Sequence, residues 1–370
     1  MKKSLFIMAL GAIALTSCSQ DEVLEVKQDA IAFSAITENA SRATASTTLD
    51  KFKVYAYVTE DATTKTYING LEATKTGEAW TLANGYYWPA NAVDFYCVAD
   101  ALTNADQGIA LNASHQVENY TVASNHKNDL LYAVMKGKTK SDASAGGVLD
   151  LNFRHALSMI QFQIDSDENY GLDVNVSAIE LVNVAQTNTY TLPEVDTSIW
   201  LDDPDQEGDP NHAQAGTVDG DNSRGSWAAL AASSKTETYS WTGLDLTATS
   251  EGEESEKSAS FFLLPQTVTA ASPVAAEWQN SYFLISCTIK KNDVLIHETT
   301  NNATKVAIPA TAPDGQWKQG YKYLYTLKFG KGGGFQPGTT DPVVVPIAFD
   351  ITVDYFQNAQ QPVDVIAPLN

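Results

Sequence analysis

Near the C-terminus, positions 343 to 355 carry an apolar residue at every odd number: Val343, Val345, Ile347, Phe349, Ile351, Val353 and Tyr355. Successive side chains of a β-strand point to opposite faces, so these residues form one unbroken hydrophobic edge. The even positions hold Asp350, Thr352 and Asp354 beside Val344, Pro346 and Ala348. A glycine-rich stretch, 330–338, separates this strand from the strand-like run 321–329, so the strand has the slack to leave its own domain. Its core, Ile347-Ala348-Phe349-Asp350, echoes Ile31-Ala32-Phe33-Ser34 near the other end of the chain.

Lys2 and Lys3 precede an apolar run over 5–15, the charged and hydrophobic regions of an export signal, too short to span a bilayer as a helix. Leu15-Thr16-Ser17-Cys18 follows at once and resembles a bacterial lipobox, which implies lipidation of Cys18. Acyl chains contribute about 0.8 kcal/mol per buried methylene, so a multiply acylated Cys18 holds the precursor to a membrane. The formal net charge of -22 disfavours nucleic acid and anionic membrane surfaces as partners. The two remaining cysteines, Cys97 and Cys287, each lie in an apolar run and read as buried thiols in separate domains.

After a first strand around Ile31 and Phe33 comes a Ser/Thr/Ala-rich segment over 37–48 without apolar periodicity, an exposed linker holding Arg42. From residue 49 onward the pattern is all-β. Short β-branched and aromatic runs at 52–58, 80–82, 86–89, 93–98, 120–122, 130–134 and 148–164 alternate with Gly, Asn, Asp and Pro turns. The turn at 165–171 separates a second half in the same style, with runs at 174–176, 179–184, 190–192, 260–265, 282–289, 294–296, 305–308 and 321–329. The expected fold is two β-sandwiches in series.

Motifs for chemistry are missing. The sequence has no nucleophile elbow, metalloprotease helix, P-loop or dinucleotide fingerprint. The histidines are scattered, and His155, between Phe153 and Leu157, reads as structural. Asp203, Asp205, Glu207 and Asp209 alternate as calcium ligands do, but without an EF-hand pattern a solvated acidic loop is favoured. Tyr86-Tyr87-Trp88 fits either a sugar-stacking platform or, more simply, a plug in a sandwich core. No enzyme, cofactor or metal is expected.

Taken in order, the lipobox at Cys18, Ile31-Ala32-Phe33, Ser41-Arg42-Ala43, Trp80 with Tyr87-Trp88-Pro89, Phe153-Arg154-His155-Ala156-Leu157-Ser158, Phe261-Phe262-Leu263-Leu264-Pro265-Gln266 and Trp317 with Gly320-Tyr321-Lys322-Tyr323 resemble the fimbrillin family, subunits of type V pili in Bacteroidota-type bacteria. The resemblance implies two transthyretin-like β-sandwich domains and a precursor exported as an outer-membrane lipoprotein. It further implies that an arginine-directed protease cuts between Arg42 and Ala43, that Ile31 and Phe33 fill a groove until then, and that the edge from Val343 to Tyr355 of another fimbrillin subunit refills it. The implied segments are 1–17 signal peptide, 18–42 propeptide, 43–166 and 167–330 sandwiches, and 331–370 connector with donor strand. Alternatives are a last strand that stays in its own sandwich, which suits a tip, accessory or anchor subunit, and a surface glycan-binding lipoprotein of a nutrient-uptake system.

Overall fold

Alternation at period two becomes strands throughout the computed structural model, which describes residues 30–36, 49–77, 79–101, 108–144, 147–166, 170–197, 224–248, 255–271, 278, 280–330, 334–337 and 347–355. The first half holds β1 Ala32–Ile36, β2 Lys51–Glu60, β3 Thr63–Thr76, β4 Ala79–Leu82, β5 Val93–Ala101, β6 Gln116–Thr121, β7 Asp129–Lys138, β8 Val148–Asn152 and β9 Arg154–His155. Next come β10 Ser158–Ser166, β11 Leu172–Val184, β12 Thr187–Thr191, β13 Ser226–Trp227, β14 Glu237–Ala248, β15 Phe261–Leu263 and β16 Gln266–Thr267. The chain continues through β17 Tyr282–Lys291, β18 Val294–Glu298, β19 Val306–Pro309, β20 Gln316–Trp317, β21 Tyr321–Phe329 and β22 Ile347–Tyr355. The fold is all-β: among the described residues the helical segments are short 3-10 turns.

Eight strands form one sheet in the order β8-β1-β4-β3-β2-β5-β7-β9. Its pairs are antiparallel except that β1 runs parallel to β8. Along β5, Val93, Phe95, Cys97 and Ala99 face one core cluster while Tyr96 and Val98 face another, and Leu131 and Ala133 against Tyr132 and Val134 repeat the division on β7. Both faces of these strands are buried, which is why their sequences run nearly unbroken in apolar residues.

The second cluster extends into a sandwich of two further sheets, β15-β10-β21-β22 and β14-β11-β17-β18, with β19 also on β17. Phe162 on β10 and Tyr325 on β21 meet Phe283 on β17 at ring-centroid distances of 6.0 and 5.3 Å, and Trp241 on β14 lies 5.0 Å from Phe162. Aromatic rings thus fill the space between the facing sheets. The chain changes sheets within a few residues, since β9 ends at His155 on β7 while β10 starts at Ser158 and pairs with β15 and β21. The small sheet β13-β12-β6 ties the halves together through β6 and β12, while β16-β20 joins two segments of the second half. Cys97 and Cys287 are free and buried in different clusters, and burial pushes both thiols up, Cys287 to about 12.

Candidate strand-exchange site

The strand nearest the N-terminus among the described residues, β1, lies inside the large sheet. On one side β1 pairs with β8 from Ala32↔Val148 to Ile36↔Asn152, and on the other with β4 through Ala32↔Thr81 and Phe33↔Trp80. The approach is fixed by the Ile31 N–H, which donates to the Tyr86 carbonyl at 2.6 Å, and the Ala32 N–H, which donates to the Gly147 carbonyl at 3.3 Å.

Alternation then sorts the side chains. Ile31 is 2% and Phe33 0% exposed. The Phe33 ring stands edge-on to Phe52 and Phe95, at 5.7 Å from each centroid, in a cluster with Trp80, Leu149, Leu151 and Phe153. Full burial of each such side chain contributes roughly 1.5–3 kcal/mol. On the outer face the Ser34 hydroxyl donates to the exposed Asp150 carboxylate on β8. Without β1, the facing edges of β4 and β8 would lose their backbone partners along an aromatic-lined groove.

Gly147 makes the passage of the chain possible. Its φ is +78°, a left-handed conformation, and a Cβ there would sit 2.5 Å from the Ala30 carbonyl oxygen. The Trp88 indole closes the same corner by donating to the Gly147 carbonyl at 3.4 Å. Neither Gly147 nor Asp150 stands out in the sequence. A glycine pair ahead of a strand signals a turn, but nothing in it says which backbone must pass close by.

The C-terminal apolar strand is found within its own chain. β22 pairs antiparallel with β21 from Phe329↔Ile347 to Tyr321↔Tyr355, at the edge of its four-stranded sheet. Ile347 is 2% exposed in the second cluster and Ile351 packs against it, while Thr352 is exposed. In the backbone register Phe349, Val353 and Tyr355 stand opposite Leu327, Tyr323 and Tyr321. Val343 and Val345 lie outside the described residues, as do Cys18, Arg42, Ala43 and the acidic positions Asp203, Asp205, Glu207 and Asp209. The structure therefore brings Ile31 and Phe33 together in one groove and holds β22 on a different sheet.

Other candidates resolve into packing. His155 Nδ1 hydrogen-bonds the fully buried Asp129 carboxylate, joining β9 to the start of β7. Tyr86 and Trp88 pack against the first cluster, leaving Tyr87, 43% exposed, as the outward ring of that trio. Among the described residues no group of three His, Cys, Asp or Glu side chains could hold a metal ion.

These features define a class: an all-β protein in which β1, the first strand among the described residues, lies inside a larger sheet. A family model described as fimbrillin-like matches residues 39–347, and the chain belongs to that family, one of structural fimbrial proteins rather than enzymes. Fimbrium subunit Fim1C of Phocaeicola vulgatus is 24% identical over 208 residues, 48% of this chain and 55% of that protein, so the chain spans about half the length of this curated relative. A solved fimbrial protein from Bacteroides vulgatus is similar at 13% identity and a TM-score of 0.49, covering 89% of this chain and 99% of the other. The tip fimbrial protein Mfa3 of Porphyromonas gingivalis, solved with a C-terminal truncation, is similar at 9% identity and a TM-score of 0.35, covering 87% and 97%.

Proposed function

We propose that the chain is a structural subunit of a cell-surface fimbria that supports adhesion. It is made as an outer-membrane lipoprotein precursor lipidated at Cys18, is cut after Arg42 by an arginine-directed protease, and is joined to other fimbrillin subunits by donor-strand exchange. The observation that carries this reading is the internal position of β1, with Phe33 fully buried between two strands that it alone separates. Arg42 follows shortly after the end of β1 at Ile36, so a cut there severs the strand from the body of the protein while leaving β2 intact. The vacated groove takes another strand through main-chain hydrogen bonds and alternate side chains.

The groove also discriminates between donor registers. If Ile347-Ala348-Phe349-Asp350 replaced Ile31-Ala32-Phe33-Ser34 residue for residue, Asp350 would meet Asp150, and like charges on adjacent strands repel. A shift of two residues keeps the same inward face, puts Ile351 in the Phe33 position and offers the Thr352 hydroxyl to Asp150. We assign this second register to the incoming strand.

The self-pairing of β22 favours a second reading, in which the chain accepts a strand but keeps its own, as a tip, accessory or anchor subunit would. An edge strand peels away more readily than a central one, so the two readings differ in whether β22 leaves β21. Purified precursor treated with an arginine-specific protease and run unboiled on a denaturing gel tests both. A ladder with Ala43 as the new N-terminus, weakened by Thr352→Val, supports the shaft subunit. Cleaved monomer that binds a peptide of residues 343–355 supports the accepting subunit. Cleaved monomer that neither assembles nor binds the peptide overturns strand exchange.

A further inference from the structure

A cleft of about 570 Å³ opens where the small strands β13, β16 and β20 approach one another. Three cationic side chains, Arg224, Lys235 and Lys318, line it. In a chain with 23 lysines and arginines and a formal net charge of -22, this is a concentration of positive charge against a negative background. Arg224 is held by donation from Nη1 to the Gln319 carbonyl at 2.9 Å, with its guanidinium carbon 5.9 Å from the centroid of the Tyr321 ring. The Lys318 ammonium lies 6.0 Å from the same ring and 3.1 Å from the exposed Asp314 carboxylate. Lys235 Nζ donates to the Thr267 carbonyl and, among the described residues, has no carboxylate partner. One wall is Trp227, whose indole is fixed by donation to the Ala156 carbonyl at 2.7 Å and backed by Tyr190 at a centroid distance of 4.9 Å.

We propose that this cleft binds an acidic saccharide, with a hexuronate carboxylate among the cations and a pyranose ring against Trp227. A volume of several hundred Å³ accommodates one or two sugar rings. Guanidinium and ammonium groups supply charge-assisted hydrogen bonds to a carboxylate. The Trp227 indole lines the cleft, held by its hydrogen bond and tilted at 52° against Tyr190, and supplies apolar surface for the C–H groups of a sugar, a contact that an inorganic anion cannot use. The net negative charge opposes long polyanions such as nucleic acid, whereas a short uronate meets the local field of the cleft. No residue of β1 or β22 lines the cleft, which is already formed in the precursor, although Tyr321 at its edge pairs with Tyr355 of β22.

Isothermal titration of the uncleaved chain with tetragalacturonate, its methyl ester and inorganic sulfate tests the assignment. Binding of tetragalacturonate is expected, weakened about tenfold or more by Lys235→Glu and by added salt, but little changed by Lys65→Glu, an equal charge change on an exposed hairpin. Circular dichroism of both variants checks that the fold is retained. Sulfate binding as tightly as the saccharide, equal binding of the methyl ester, absence of binding, or indifference to Lys235→Glu in a folded variant would each overturn the proposal. Because the titration needs no polymer, its failure leaves the assembly reading standing, and failure to assemble leaves the cleft standing.

Discussion

Phe33 couples the first strand to the core more tightly than any of its neighbours on β1, with no exposed surface and aromatic contacts to strands β2 and β5. Phe33→Ala should destabilise the uncleaved protein by about 3–5 kcal/mol, read from urea denaturation, because the rigid sheets around it cannot collapse onto the space. Gly147→Ala separates two effects. In the precursor the new methyl collides with the Ala30 carbonyl in addition to straining a left-handed backbone, and once β1 has left only the backbone strain remains. The loss in melting temperature should therefore be larger before cleavage and strand removal than after. Burial pushes the Asp100 carboxyl up to about 6, with repulsion from Asp129 adding to it, against the pull of the Asn128 amide, which donates at 3.2 Å. The folded state thus binds this proton more tightly than the unfolded chain, whose carboxyl titrates near 3.9, and the cost of ionising Asp100 is present above pH 6 and fades as pH falls toward 4. Asp100→Asn should raise the melting temperature at pH 7.5, with the gain shrinking toward pH 4. The variant isolates the effect from that of His126, which burial pushes down to about 4 and whose protonation in the unfolded chain acts in the opposite direction over the same range.

Among the strands, β1 and β22 have similar sequences and opposite situations. β1 is bonded on both edges and β22 on one. Cutting after Arg42 should therefore leave β1 in place: the released segment should co-elute with the body of the protein on gel filtration, and leave when a peptide of residues 343–355 is supplied in excess or the sample is heated. Prompt loss of the segment without competitor would contradict the structure. The inward faces of both strands could be read directly, because Ile31, Phe33, Ile347 and Ile351 follow the alternation that a strand imposes. Their neighbours could not. Alternation fixes which side chains face the core but says nothing about the strand next door, since backbone donors and acceptors pair with any partner in register. The basic cleft was invisible for a related reason: Lys318 lies far along the chain from Arg224 and Lys235, and the three meet only where the segments around β13, β16 and β20 come together.

For the whole molecule, a net charge of -22 means that subunits repel one another as they approach. Assembly of cleaved protein, followed by light scattering, should accelerate as salt rises from about 0.01 to 0.5 M, over which the screening length falls from about 30 Å to a few Å. Assembly that slows with salt would place attractive charge pairs at the subunit contact instead. Sequence alone determined that this chain is all-β, that its strands present clean apolar edges, and that Cys97 and Cys287 are buried apart, because each follows from local alternation, turn residues and composition. Tertiary structure alone decided that β1 lies parallel to β8 inside a sheet, that the chain crosses to a second sheet at Ser158, and that β22 closes back on β21. Those outcomes depend on which edges remain unpaired once the rest of the chain has packed, and a strand carries no record of that in its own residues.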